Sequence, residues 1–143
     1  MQVHLAADAP HQAAIRAALI AYSRANTYVA SQFADAVCSC GGREFQLEVD
    51  ESAGAAVRYC AVCGDGHAIG DSEDYLADAE VEPCFCLCGS PIFEITVGVA
   101  LYADSDDVRW LYLGCRCPGC GVVGCYADWK NEFTGHRALL ALV

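Results

Sequence analysis

The sequence predicts an α+β, strand-rich fold in which an N-terminal helix packs on two tandem β-hairpin units related by internal duplication. Three observations carry this expectation. Residues 8–35 lack cysteine and place apolar residues at helical spacing. Two later stretches repeat one cysteine pattern, and the segments between those cysteines alternate apolar and polar residues. The chain accordingly divides into a helical segment (1–35), a first repeat with a short linker helix (36–83), and a second repeat with a C-terminal segment (84–143). At 143 residues these are expected to be parts of one compact domain with a real core.

The helix comes first. Asp8 is its expected N-cap and Pro10 lies in its first turn, while Ile15, Leu19 and Tyr22 form the apolar stripe. Val29 and Phe33 extend that stripe unless the helix breaks near Asn26-Thr27. Its expected role is to cover a sheet face. Strands follow at residues 43–49 and 56–60, joined across DESAG. The stretch from Gly70 to Cys84 starts with acids after Asp71, a second expected N-cap, and reads as a short linker helix. A longer hairpin is predicted from residues 92–102 and 108–114, joined across ADSDD. After Asp128, a turn and a final apolar strand or helix are expected.

The duplication is visible residue by residue. CSCGGREFQLEV at 38–49 matches CLCGSPIFEITV at 86–97, with Phe45 and Phe93 in register. Each copy closes on Cys-x-x-Cys-Gly, CAVCG at 60–64 and CPGCG at 117–121. An aspartate follows eight residues beyond each last knuckle cysteine, Asp71 and Asp128, which suggests a repeated cap or turn. The second copy's inter-knuckle gap is 28 residues against 19, so its hairpin is longer by nine.

Eleven cysteines in a chain without a basic, uninterrupted signal sequence point to bound metal more than to disulfides. Cysteines spaced Cys-x-x-Cys turn two thiolates toward one ion, and the glycine that follows can take the positive φ the turn needs. Two knuckles then close an all-thiolate site of the kind that holds structural zinc. One site is assigned to Cys38, Cys40, Cys60 and Cys63, the other to Cys86, Cys88, Cys117 and Cys120, giving two structural Zn2+ ions. Cys115 in CRCPGCG falls outside the repeated set and aligns with Arg58 of the first copy. Ribbons this small cannot build an adequate core alone, so metal is expected to supply much of the folding energy.

On these knuckles, both copies resemble zinc ribbons over roughly residues 36–130, and CPGCG is also similar to the second knuckle of rubredoxin. The ribbon resemblance implies two knuckles on β-hairpins clamping a metal, and often nucleic-acid binding. The rubredoxin resemblance implies an iron electron carrier as an alternative function.

Charge argues against the nucleic-acid role. The formal net charge is −11, and no Lys or Arg occurs between Arg58 and Arg109, where eleven acids do. Phosphate binding requires clustered cations, so direct nucleic-acid contact is not expected. No apolar run approaches a membrane span of about eighteen residues. The chain is read as a cytoplasmic, non-enzymatic module that uses its acids to meet a basic protein, as a bacterial-type inhibitor or immunity protein meets a toxin or effector. Candidate partner-binding residues are Glu73, Asp74, Asp78, Asp104, Asp106 and Asp107, with Tyr75, Tyr102, Trp110, Tyr112, Tyr126 and Trp129 as aromatic neighbours. Trp110 and Tyr112 share one strand face and Leu111 and Leu113 the other, so one pair points away from the hairpin's main core unless something covers it. His4, His11, His67 and His136 sit in no catalytic motif. Cys84, Cys115 and Cys125 are unassigned thiols, expected to be packed.

Overall fold

The computed structural model describes residues 3–143, with side chains from residue 11 onward. Helix α1 spans Val3–Ala25. It therefore begins upstream of Asp8, which is not its N-cap, and Pro10 lies beyond its first turn. The chain does break at Asn26-Thr27, where Thr27 takes a φ of 77°. Beyond the break the expected helical stripe fails, because Phe33 belongs to strand β1, Gln32–Asp35. Four residues with a β-branched-poor sequence carry little strand signal, and only pairing with a distant strand makes them extended.

The first hairpin is β2 (Phe45–Asp50) and β3 (Ala55–Cys60), followed by a short β4 (Gly66–Ala68). The linker is two consecutive 3-10 turns, Ser72–Asp74 and Leu76–Asp78, not an α-helix. Asp71 makes no capping bond. Its carboxylate instead accepts from Asn131 Nδ2 at 3.0 Å, and the Ser72 hydroxyl ties the turn down by accepting from Ala56 N and donating to Ile69 O. The two-residue β5 (Glu82–Pro83) leads into the second copy. There β6 (Glu94–Leu101), β7 (Val108–Arg116) and β8 (Val123–Phe133) form an antiparallel meander, and α2 (His136–Leu140) ends the chain.

Two four-stranded antiparallel sheets result, in the orders β4-β3-β2-β5 and β1-β6-β7-β8. Each repeat supplies three consecutive strands of one sheet, and the fourth comes from across the duplication. β1 precedes the first knuckle yet pairs with β6, with Asp35 opposite Thr96. β5 precedes the second knuckle yet pairs with β2, with Pro83 opposite Glu48. These pairs are repeat-equivalent. So are the flanking bonds Ala36 N to Ile95 O and Cys84 N to Leu47 O, both 2.9 Å. At the centre Phe45 and Phe93 bond each other reciprocally, N to O, at 2.8 Å both ways. Equivalent residues meeting each other is the signature of a two-fold axis, here internal to one chain.

Both sheets contribute to one core that includes Phe45, Leu47, Phe93, Ile95, Val97, Leu111 and Leu113. Trp110 and Tyr112 point the other way, and α1 covers them. Ile15 and Leu19 pack with Tyr112 in a second apolar cluster. Gly98 and Gly114 admit this close approach, since a Cβ on Gly114 would sit 2.7 Å from Ile15 Cγ2. The helix covers the sheet of the second copy; among the described residues no equivalent helix lies on the outer face of the first, where Gln46 is exposed and Glu48 and Tyr59 are half-buried.

Candidate metal centres and the acidic surface

Each site forms where the hairpin ends. The Cys-x-Cys turn precedes the first strand and the Cys-x-x-Cys turn follows the second, so strand pairing brings the two knuckles together. Backbone bonds set the turns identically in both copies: Gly41 N to Cys38 O and Gly89 N to Cys86 O at 2.8 Å, Gly64 N to Cys60 O at 2.8 Å and Gly121 N to Cys117 O at 2.7 Å. The four glycines have φ between 77° and 93°, a region closed to most side chains.

The sulfurs of Cys38, Cys40, Cys60 and Cys63 all lie within 4.8 Å of one another, as do those of Cys86, Cys88, Cys117 and Cys120. Close diagonal pairs are Cys38–Cys63 and Cys40–Cys60, both 3.6 Å, and their counterparts Cys86–Cys120 at 3.5 Å and Cys88–Cys117 at 3.7 Å. Four sulfurs placed tetrahedrally at about 2.3 Å from zinc stand about 3.8 Å apart. The sets fit such an ion, and each could hold one.

The first cysteine of each knuckle is buried and the second exposed. Backbone N–H groups aim at the buried sulfurs. Those of Cys63 and Val62 hold the Cys60 thiol down at about 7 against the desolvation that opposes them, and those of Cys120 and Gly119 hold Cys117 at about 6. Thiolate is the form that binds metal, and these N–H groups favour it. Near Cys63 the Asp65 N–H pulls downward too, but the adjoining Cys38 sulfur and burial outweigh it and push the thiol up to about 12. A cation at the centre would favour the thiolate form of all four cysteines, Cys63 included, by taking the place of the shared protons.

Arg58 is a neighbour of site one that its sequence position hides. It is 6% exposed, donates from Nε to Val143 O at 2.8 Å, and lies 4.6 Å over the Phe45 ring. Burial lowers its pKa, and the charges of Cys38 and Cys60 partly restore it. A charged residue in the otherwise buried strand AAVRYC was the available signal. In the second copy Cys115 takes this position, wholly buried, and burial pushes its thiol well up. Tyr126 packs edge-on against Phe93 at 4.9 Å. Cys84 and Cys125 are half-buried, with Cys125 on the helix side of the sheet, bonded to Ala127 O.

Asp71 and Asp128 do not play one repeated role. Asp128 lies within β8 and accepts from Tyr22 Oη at 3.0 Å and Trp110 Nε1 at 2.8 Å, whereas Asp71 holds Asn131. His67 is no ligand; its Nε2 meets Leu142 O at 2.6 Å. His136 is buried at the start of α2 and His11 lies 3.4 Å from Glu94, while the side chain of His4 lies outside the described residues.

The acids fall in two groups that anchor on the same end of β8. Glu73, Asp74 and Asp78 are exposed on the 3-10 turns around exposed Tyr75, and those turns are tied to β8 through Asp71 and Asn131. Asp104 and Asp106 are exposed in the β6–β7 loop, which adjoins β8 where Val108 pairs with Phe133. Asp107 differs. It is half-buried, and its carboxylate accepts from Gly135 N at 2.9 Å, fixing the turn into α2. Among the aromatics, Tyr112 and Trp129 are buried, and Tyr126 is half-buried.

No described helix is long and apolar enough to cross a membrane. Compared with protein-family models, curated proteins and solved structures, the chain matches none.

Proposed function

We propose that this is a non-enzymatic module of two zinc-ribbon-like units, each folded around one structural Zn2+, that uses its acidic surface to bind a basic protein, in the manner of a cytoplasmic inhibitor or immunity protein opposing a toxin or effector. The observation that carries the reading is the gathering of Glu73, Asp74, Asp78, Asp104 and Asp106 around one end of β8, beside an exposed Tyr75. Exposed acids of one sign raise the rate of encounter with a cationic surface. Tyr75, 48% exposed, adds an aromatic contact of the kind interfaces favour. The all-thiolate sites then act as staples, since four protein ligands leave no open position for a reacting water.

Affinity capture tests this reading, with the zinc-loaded protein as bait and Asp104→Lys/Asp106→Lys as control. A specific basic protein retained at low and physiological salt, with association slowed about tenfold or more by the charge reversal, is expected. Retention of no partner, or an on-rate indifferent to the reversal, overturns it. Metal analysis separates the electron-carrier reading: the expected protein is colourless with two zinc ions per chain, and iron with a visible thiolate band would favour that reading instead.

A further inference from the structure

A cavity opens beside the second hairpin. It has a volume of about 320 Å³ and is lined by Tyr28, Tyr102, Arg109, Trp110 and Lys130. Two of the chain's eight basic residues therefore converge with three aromatic rings in a strongly acidic protein.

Arg109 is held in place by rings rather than by charge. Its guanidinium carbon stands 4.0 Å from the Tyr28 ring centroid and 5.3 Å from that of Tyr102, and Nη2 donates to Tyr28 Oη at 3.0 Å. The other half-buried arginines, Arg16 and Arg116, pair with Asp35 and Glu94. Among the described residues Arg109 has no carboxylate partner, and that one bond to Tyr28 is its only side-chain hydrogen bond. The rest of its planar donor fork is unclaimed.

The walls are fixed as well. Trp110 is tilted against Tyr28 at 5.3 Å, and its indole N–H is committed to Asp128 at 2.8 Å. Tyr28 is positioned by the left-handed Thr27 turn and by its carbonyl, which accepts from the Tyr112 hydroxyl. Tyr102 donates to Glu132 at 2.9 Å, and Lys130 lies 3.9 Å from the same carboxylate, which does not line the cavity. A guanidinium fork fixed in advance binds a carboxylate or phosphate with little entropy left to lose, and ring faces beside it accept a flat partner.

We propose that this cavity binds a small aromatic anion, a flat ring carrying a carboxylate or a phosphate. The oxyanion meets the Arg109 fork and the Lys130 ammonium, and the ring lies against Trp110 and the tyrosines. A nucleoside monophosphate and an aromatic carboxylic acid both present this chemistry.

The test uses the full-length zinc-loaded protein and follows the Trp110 indole N–H resonance during titration with adenosine monophosphate, 4-hydroxybenzoate, adenosine or inorganic phosphate. Saturable shifts are expected with one or both aromatic anions, and which of them binds names the source. Adenosine and phosphate each lack half of the recognition and should bind at least about tenfold more weakly. Arg109→Gln should weaken the anion about tenfold, while Lys130→Gln, at an exposed position that leaves packing untouched, should weaken it several-fold with the fold unchanged. The proposal is overturned if neither aromatic anion shifts the resonance saturably at millimolar concentration, if phosphate alone binds as tightly, or if Lys130→Gln leaves affinity unchanged.

Discussion

Cys115 and Cys117 stand two positions apart where β7 runs into its knuckle, and both are completely buried. Only Cys117 has its sulfur among three others, with backbone N–H groups favouring its thiolate. Cys115 sits in the apolar core, where burial, reinforced by the nearby Cys84 and Cys125 sulfurs, pushes its thiol well up and favours the protonated form. Substitution should separate the two roles. Cys117→Ser should reduce bound metal from two ions to one, measured by elemental analysis on the purified protein. Cys115→Ser should keep both ions but leave a hydroxyl without a partner in the core, costing about 1–3 kcal/mol in denaturant unfolding. Alignment of the two copies had already separated these residues, because Cys115 faces Arg58 in the repeat. What fills the space beneath each site was not legible, since Arg58 over Phe45 and Tyr126 against Phe93 are unlike solutions to one packing problem.

At the level of elements, α1 lies where two strands offer it glycines. A methyl group on Gly114 meets Ile15 at 2.7 Å and Leu19 at 2.9 Å, so those side chains or the helix must shift. Gly114→Ala should destabilise the protein by about 1–3 kcal/mol while both metal ions remain bound, checked by thermal unfolding with metal analysis. The loop carrying Asp104, Asp106 and Asp107 also divides. Asp107→Lys should lower stability through loss of the Gly135 bond, whereas Asp104→Lys and Asp106→Lys, both exposed, should leave the melting temperature nearly unchanged. Counting acids in the sequence cannot make that distinction, because it depends on which carboxylate turns back to a backbone N–H. The hairpins were legible from their alternation, the 3-10 linker and the start of α1 were not. Asp71, an expected cap, instead accepts from Asn131 once the elements pack.

In the whole molecule the two copies hold each other's first strand. Neither sheet is complete without a segment from the other half: β1 for the second copy, β5 for the first. Cleaving the chain before β5, between residues 80 and 81, would therefore leave each half with an unpaired edge and half a core. Metal removal should act on both halves at once. Strong chelation is expected to give one cooperative loss of circular dichroism rather than two steps, and Cys88→Ser, which touches only site two, should raise hydrogen exchange in the β2–β3 hairpin as well. Unchanged dichroism after confirmed metal loss would refute the stapling role, and exchange confined to the second copy would refute the coupling.

The sequence by itself determined the two four-cysteine sets and the hairpins, because knuckle spacing and strand alternation are local patterns that survive in one dimension. It also determined the duplication, since equivalent residues recur in order. Only the tertiary structure decided that the copies interlock, that the helix covers one sheet and not the other, and that Arg109 is caged by aromatic rings. Those depend on pairings such as Asp35 with Thr96 and contacts such as Tyr28 with Arg109, between residues far apart in the chain. Two- to four-residue strands like β1 and β5 have too little pattern to announce a partner, and their conformation is set by the edge they find.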